Sequence, residues 1–159
     1  MNLPLDAEVR IRRMAPADLD RVIELEQSLP QAPRWPRSAY AAALNPDAAP
    51  RRIALVAEEA GHGAVQGFAV ASLLPPQSEL ETIAVAAGSQ RQGVAHRILM
   101  AMVEEFKTAR VTEVLAEARA SNLAALAFYR AQGFAITGHR PRYYADPIED
   151  AVLLELRLA

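Results

Sequence analysis

"ETIAVAAGSQRQGVAHRIL", Glu81–Leu99, is the stretch on which the reading of this chain turns. Its apolar first part, within "ELETIAVA", reads as a strand and ends near Gly88-Ser89. From Gln92 to Lys107, residues Val94, Ile98, Leu99, Met102, Val103 and Phe106 recur at helical spacing and form one apolar face. A strand, a turn and a helix start leave free backbone N–H groups and a partial positive charge at the helix N-terminus. Gly93 has no Cβ, so a phosphate can approach the main chain there, while Arg91 adds a full charge and Gln92 a neutral donor. No P-loop lysine follows the glycine, and G-x-G-x-x-G is absent, so a nucleotide triphosphatase or dinucleotide fold is disfavoured. Two readings stand on these residues alone: an anion-holding loop, or a surface turn with solvated polar groups.

Working outward, Glu8–Arg13 alternates as a strand, and Pro16 opens a helix through "ADLDRVIELEQSL". The proline-laden "PQAPRWPRSAY" is a loop leading to a short helix, Arg37–Leu44. "RIALVAEE" and "AVQGFAVASLL" are strands joined by a Gly61-His62-Gly63 hairpin turn, and Pro75-Pro76 breaks the next connection. Downstream, "EVLAEA" is a strand, "NLAALAFYRAQ" a helix stopped by Gly133, and "FAITGH" and "AVLLELRL" are closing strands. The order β-α-α-β-β-β-α-β-α-β-β is mixed rather than strictly alternating. It implies an α/β domain with a partly antiparallel sheet, and residues 1–159 read as one domain.

With 159 residues, 52% apolar and 23% charged, the composition is that of an ordinary globular domain. A net charge of −2 gives no electrostatic reason to bind nucleic acid or a membrane surface. There is no cysteine, which excludes disulfides, thiolate–metal sites and a cysteine nucleophile. The three histidines lack ligand spacing, so no metal site is expected, and no G-x-S-x-G elbow exists. The charged N-terminal segment does not read as a signal peptide, and no apolar run approaches a membrane span, so a cytoplasmic protein is expected.

Glu117 lies on a strand otherwise made of small and apolar residues. Alternation puts Val114, Ala116 and Ala118 on one face and Leu115, Glu117 and Arg119 on the other. A carboxylate so placed is either a general base or a solvated strand-end residue paired with Arg119. Tyr129 is either core packing or a chemical group, and Asn122 opens its helix as a plain N-cap or something more. Tyr143-Tyr144 are either exposed loop aromatics at a cleft or packing; Trp35 reads as packing.

Together, "ETIAVAAGSQRQGVAHRIL" and "AEARASNLAALAFYRAQGF" resemble the GNAT family of N-acetyltransferases. The first is similar to its Q/R-x-x-G-x-G/A cofactor motif, the second to its E-x-R-x-S-N segment leading to F/Y-Y-x-x-x-G-F. The tail "RPRYYADPIEDAVLLELRL" resembles the RimI-type branch, which acetylates N-terminal alanine of ribosomal proteins. The resemblance spans Leu80–Leu158 strongly and Met1–Leu74 weakly. It implies the GNAT fold, a mixed and mostly antiparallel sheet with helices on both faces. It also implies that acetyl-CoA is the cosubstrate, with no metal, and that the acceptor is a protein N-terminus, a ribosomal protein foremost. By the same resemblance, the pantetheine arm lies along Ile83, Ala84 and Val85. The pyrophosphate sits on Arg91, Gln92, Gly93, Val94, Ala95 and His96, mainly on their N–H groups, and Asn122 contacts the cofactor. Glu117 is then the general base and Tyr129 the general acid.

Three departures stand against the family pattern. Ala95 replaces a second glycine, "AAGS" replaces the usual Asp-Pro-x-Tyr turn, and Ala116 and Ala118 flank Glu117 where larger residues are common. The alternatives to N-terminal acetylation are a small-molecule amine or lysine acceptor, or a non-catalytic acyl-CoA-binding module.

Overall fold

The computed structural model describes residues 8–61 and 63–159. Its strands are β1 (Val9–Arg13), β2 (Arg51–Glu59), β3 (Val65–Leu74), β4 (Gln77–Val85), β5 (Glu113–Arg119), β6 (Ala135–Tyr144) and β7 (Glu149–Arg157). Its helices are α1 (Leu19–Ser28), α2 (Arg37–Ala43), α3 (Val94–Thr108) and α4 (Leu123–Ala131). The strands form one sheet in the order β1-β2-β3-β4-β5-β7-β6, antiparallel throughout except for the parallel pair β4–β5. This is the mixed, mostly antiparallel α/β architecture expected.

The sheet is covered on both faces, which is why β2 and β3 are continuous apolar runs rather than alternating ones. On one face Ile53, Leu55, Ala69, Ala71 and Leu73 pack with Ile98, Met102 and Phe106 of α3 and with Tyr129 of α4. On the other, Ala54, Val56, Phe68 and Val70 pack with Val22 and Leu25 of α1 and Tyr40 of α2. Where α3 meets the sheet there is no room for a side chain on β3. A Cβ on Gly67 would meet the Ala84 carbonyl oxygen at 2.9 Å and Ile98 Cδ1 at 3.0 Å.

Several boundaries differ from the expected ones. The helix after the glycine loop starts at Val94 rather than Gln92, because Gly93 takes a left-handed conformation (φ 80°) that ends the turn. Pro75-Pro76 forms a tight hairpin turn, so β4 begins at Gln77. β6 runs on to Tyr144, placing Tyr143 and Tyr144 at a strand end rather than in a loop. The expected Gly61-His62-Gly63 turn lies partly outside the described residues; its flanking glycines both have positive φ.

One irregularity governs the rest. Val70 pairs with Thr82 but Ala71 pairs with Leu80, so Glu81 is an extra residue, a β-bulge. The bulge shifts side-chain alternation by one, so Leu80 and then Ile83 and Val85 face α3. It also bends the strand. β4 and β5 pair only from Gln77–Glu79 to Glu113–Leu115 and then part.

Arg12 ties the first helix to the sheet. Its guanidinium donates to both Asp18 oxygens at 2.8 Å and, through Nε, to Glu58 Oε2 at 2.8 Å. The hydrogen bonds from Arg12 hold the Asp18 carboxyl below its ordinary range, outweighing the opposing effect of burial. A depressed folded-state pKa stabilises the fold above the ordinary aspartate range, and that stabilisation is lost as pH falls through the depressed value. Asp18→Asn is therefore expected to cost about 1–3 kcal/mol at neutral pH. In urea melts the gap to wild type should close as the solution is acidified; a pH-independent gap contradicts the pairing.

Candidate active site

The parting of β4 and β5 opens a cleft of about 840 Å³ through the sheet. Along β4, Ala86 N–H donates to the Gln66 carbonyl of β3 at 2.7 Å, whereas the Val85 carbonyl accepts from Gln90 Nε2 at 3.0 Å. Backbone groups alternate in direction along a strand. Ala84 and Ala86 therefore address β3, while the main chains of Ile83 and Val85 address the gap. An edge with its polar backbone turned to an open slot is a template for another extended chain.

The opposite wall is β5. Val114, Ala116 and Ala118 are buried against α3 and α4, and Leu115, Glu117 and Arg119 lie on the other face, as alternation required. Tyr129 comes from α4 on the α3 side of the sheet, so Glu117 and Tyr129 reach the cleft from opposite faces. Both line the gap between the strands.

Their surroundings differ. Tyr129 is 6% exposed, with the rings of Phe128 and Phe134 at 5.6 and 5.2 Å. Burial first, then Tyr144, pushes its phenol well above the ordinary range, so it keeps its proton at neutral pH. Glu117 stands in a polar wall beside Tyr143, and its negative charge, then the hydrogen bond between them, raises the Tyr143 phenol. Tyr144 is pushed up to about 12 by burial and then by Glu117. On β4, at the last position where the two strands still pair, Glu79 is raised by partial burial, then by the neighbouring charges of Glu117 and Glu81.

A third wall is the loop Leu29–Trp35, and a buried carboxylate fixes it. Glu26, 2% exposed, accepts at Oε1 from the Tyr40 hydroxyl (2.8 Å) and the Trp35 N–H (2.7 Å). Its carbonyl accepts from Arg34. Trp35 packs on Tyr40 at 5.2 Å, as expected, and lines the cleft as well.

Ile83, Ala84, Val85, Asn122, Glu117 and Tyr129 all line this one cleft. Residues 91–96 do not; they continue from its end, joined through Gln90. Arg91, Gln92, Gly93 and His96 are exposed there, while Val94 is buried. The first helical bond of α3 runs from Arg97 N–H to the Gly93 carbonyl, no side chain caps the helix, and no acid occupies its first turn. The N–H groups of Val94, Ala95 and His96 thus have no intrahelical acceptor. By contrast, the α4 N-terminus is capped by Asn122, whose Oδ1 accepts from Ala125 N–H at 3.2 Å. The His96 ring is engaged through Nδ1 with Gln132 Oε1 at 2.6 Å. Arg119 is not the partner of Glu117; it is taken by Glu149. Sequence reasoning missed Glu79 and Glu26. Glu26 had a signal, an acid on the buried side of its helix, whereas Glu79 stands at an exposed position of an alternating strand and had none.

Removing the Glu117 charge should lower the pKa of both Tyr143 and Tyr144, since a nearby anion opposes phenolate formation. Ultraviolet titration of Glu117→Gln should show tyrosines ionising at lower pH than in wild type. An unchanged curve would place Glu117 away from both rings.

Residues 19–134 match the model of the Acetyltransferase (GNAT) family, and the chain belongs to that family. It is an N-acetyltransferase, and enzymes of this family use acetyl-CoA. The chain is 36% identical over 148 residues to the N-alpha-acetyltransferase RimI of Mycobacterium tuberculosis, covering 90% of this chain and 89% of the relative. It is 33% identical over 100 residues to the [ribosomal protein bS18]-alanine N-acetyltransferase of Escherichia coli K12, covering 62% of this chain and 68% of that one. The crystal structure of the ribosomal-protein-S18-alanine N-acetyltransferase from Escherichia coli superposes with a TM-score of 0.82 at 27% identity. That match covers 95% of this chain and 94% of that chain. Among the described residues no helix is long and apolar enough to cross a membrane.

Proposed function

We propose that residues 1–159 act as one acetyl-CoA-dependent N-α-acetyltransferase whose acceptor is a protein N-terminus, foremost the N-terminal alanine of a small-subunit ribosomal protein in the cytoplasm. The observation that carries this reading is a carboxylate and a protonated phenol reaching one slot through the sheet from opposite faces. An acyl donor and an amine can enter such a slot from different sides. Of the relatives named above, the Escherichia coli one is an alanine N-acetyltransferase and the Mycobacterium tuberculosis one an N-alpha-acetyltransferase, and both support the choice of acceptor.

The residues present fit the cofactor. The open β4 edge at Ile83–Val85 offers main-chain partners to an amide-bearing arm, and the uncapped α3 N-terminus with Arg91 offers an anion site. Asn122 lines the same cleft, its Oδ1 used in capping and its amide hydrogens left to donate outward. Acetyl-CoA supplies the acetyl group as a thioester, already activated for transfer.

Glu117 serves as the base. An α-amine with a pKa of about 7.7–8.0 is neutral at pH 7 in roughly a tenth of molecules or more, against about 0.04% for a lysine. A carboxylate within reach, directly or through one water, suffices for the former and falls far short for the latter. Tyr129 serves as the acid, its proton retained at all working pH values and offered at the sulfur. Burial makes this phenol a weaker acid, and the same burial raises the basicity of a departing thiolate, so the two effects offset one another in the transfer. Main-chain N–H on the gap side of β4 supplies a preorganised donor for the carbonyl oxygen.

Incubation with acetyl-CoA and an Ala-starting peptide, followed by free thiol release, tests the proposal. Turnover on a small amine but on no N-terminal peptide would contradict it. Glu117→Gln is expected to lower kcat about 10²-fold or more, most at low pH where the amine is charged, with CoA affinity retained. Arg91→Ala should instead raise the KM for acetyl-CoA and leave kcat near wild type. An unaltered KM contradicts its phosphate role.

A further inference from the structure

β6 and β7 do not pair evenly beside the cleft. Arg140 pairs with Ala151 and Tyr144 with Glu149, so residues 141–143 of β6 stand opposite Asp150 alone. Two extra residues are thus looped into the strand. The irregularity brings two adjacent side chains, Tyr143 and Tyr144, to the same cleft, which regular alternation forbids. It is held in an unfavourable backbone conformation. Arg142 and Asp146, neither of them glycine, have φ of 54° and 51°. Such residues persist only where the surroundings over-determine them.

Arg142 N–H donates to Asp150 Oδ1 at 3.0 Å, and the turn around Asp146 converges on Arg119. Its Nη1 donates to the Pro147 carbonyl at 3.1 Å and to Glu149 Oε1 at 3.3 Å, and its Nη2 donates to the Ala145 carbonyl at 3.1 Å. The guanidinium also lies over the Tyr144 ring, 4.6 Å from its centroid. Glu149 completes the tie, accepting from the Ser121 N–H at 2.6 Å. One planar cation therefore joins the end of β5, the β6–β7 turn and an aromatic wall of the cleft. We propose that Arg119 is a positioning residue that clamps this turn, so that Tyr143 sits on Glu117 and Tyr144 closes the acceptor side of the slot. It acts through the tyrosines and touches no reacting atom. Its effect falls on the acceptor and not on acetyl-CoA, because the clamped turn lies across the cleft from the β4 edge. This rests on the N-terminal acetyltransferase reading.

Arg119→Lys keeps the charge but replaces the planar fork by a single point donor, which cannot serve three oxygens and a ring together. With the variant shown to be folded by its melting temperature, hydrogen exchange across residues 140–150 should quicken about tenfold or more, while residues 26–40 stay unchanged. The KM for an Ala-starting peptide should rise about tenfold with the KM for acetyl-CoA within about twofold of wild type. Adding Tyr144→Leu to Arg119→Lys should cost little beyond either single change. Unchanged exchange at 140–150 overturns the clamp. Quickened exchange with an unchanged peptide KM, or equal shifts in both KM values, overturns its role in acceptor positioning. If wild type acetylates no peptide, the functional reading fails, and the exchange comparison still decides the clamp.

Discussion

Everything in this molecule that bears on chemistry depends on two parallel strands that cannot stay together. β4 and β5 share three paired positions and then part. The parted edges carry polar backbone groups that need partners, which a folded chain rarely leaves unmet. Gln90 satisfies one of them, the Val85 carbonyl. The bulge at Glu81 contributes directly, because an extra residue bends its strand and re-aims the side chains beyond it. Without it, Ile83 and Val85 would not face α3. The slot also makes use of both sheet faces, with α3 and α4 on one side and the α1–α2 loop with the β6–β7 turn on the other.

The two walls are chemically unlike, and the difference follows from what packs behind each. Behind Tyr129 stand Phe128, Phe134 and the α3 core, an apolar setting that holds a phenol protonated. Around Glu117 stand Glu79, Tyr143 and Tyr144, with Arg119 and Arg140 close by. Two titratable groups in opposed environments are a recurrent basis for acid and base roles. Glu26 performs a quieter task on the third wall. Its buried carboxylate ties Trp35 and Tyr40 to α1 and so gives shape to a proline-rich loop with little structure of its own.

Much of the fold was legible in the residues. The helical face from Val94 to Phe106, the doubly buried runs of β2 and β3, and the alternation of Val114 to Arg119 each follow from periodicity, since those elements bury one face or two. The slot was not legible in the same way. The bulge at Glu81 is decided by pairing with a strand elsewhere in the chain, and no local pattern fixes it. Likewise Tyr143-Tyr144 read locally as loop aromatics or as packing. Their place in β6 depends on β7, Asp150 and Arg119, all contacts made across sequence distance. Glu117 and Tyr129 could be picked out by residue type and spacing, whereas their arrival from opposite faces needed the sheet. Arg119, legible as a neighbour of Glu117, turned out to serve the turn.

In the proposed reaction, acceptor amine and thioester meet in the gap between β4 and β5, with Glu117 and Tyr129 on either side. A crystal structure with a conjugate of an Ala-starting peptide and CoA tests it most directly. The peptide nitrogen is expected within about 2.6–3.2 Å of the Glu117 carboxylate, or one water away, and the sulfur within the same reach of the Tyr129 hydroxyl. A conjugate whose nitrogen lies remote from Glu117, or whose sulfur lies outside the gap, would contradict it.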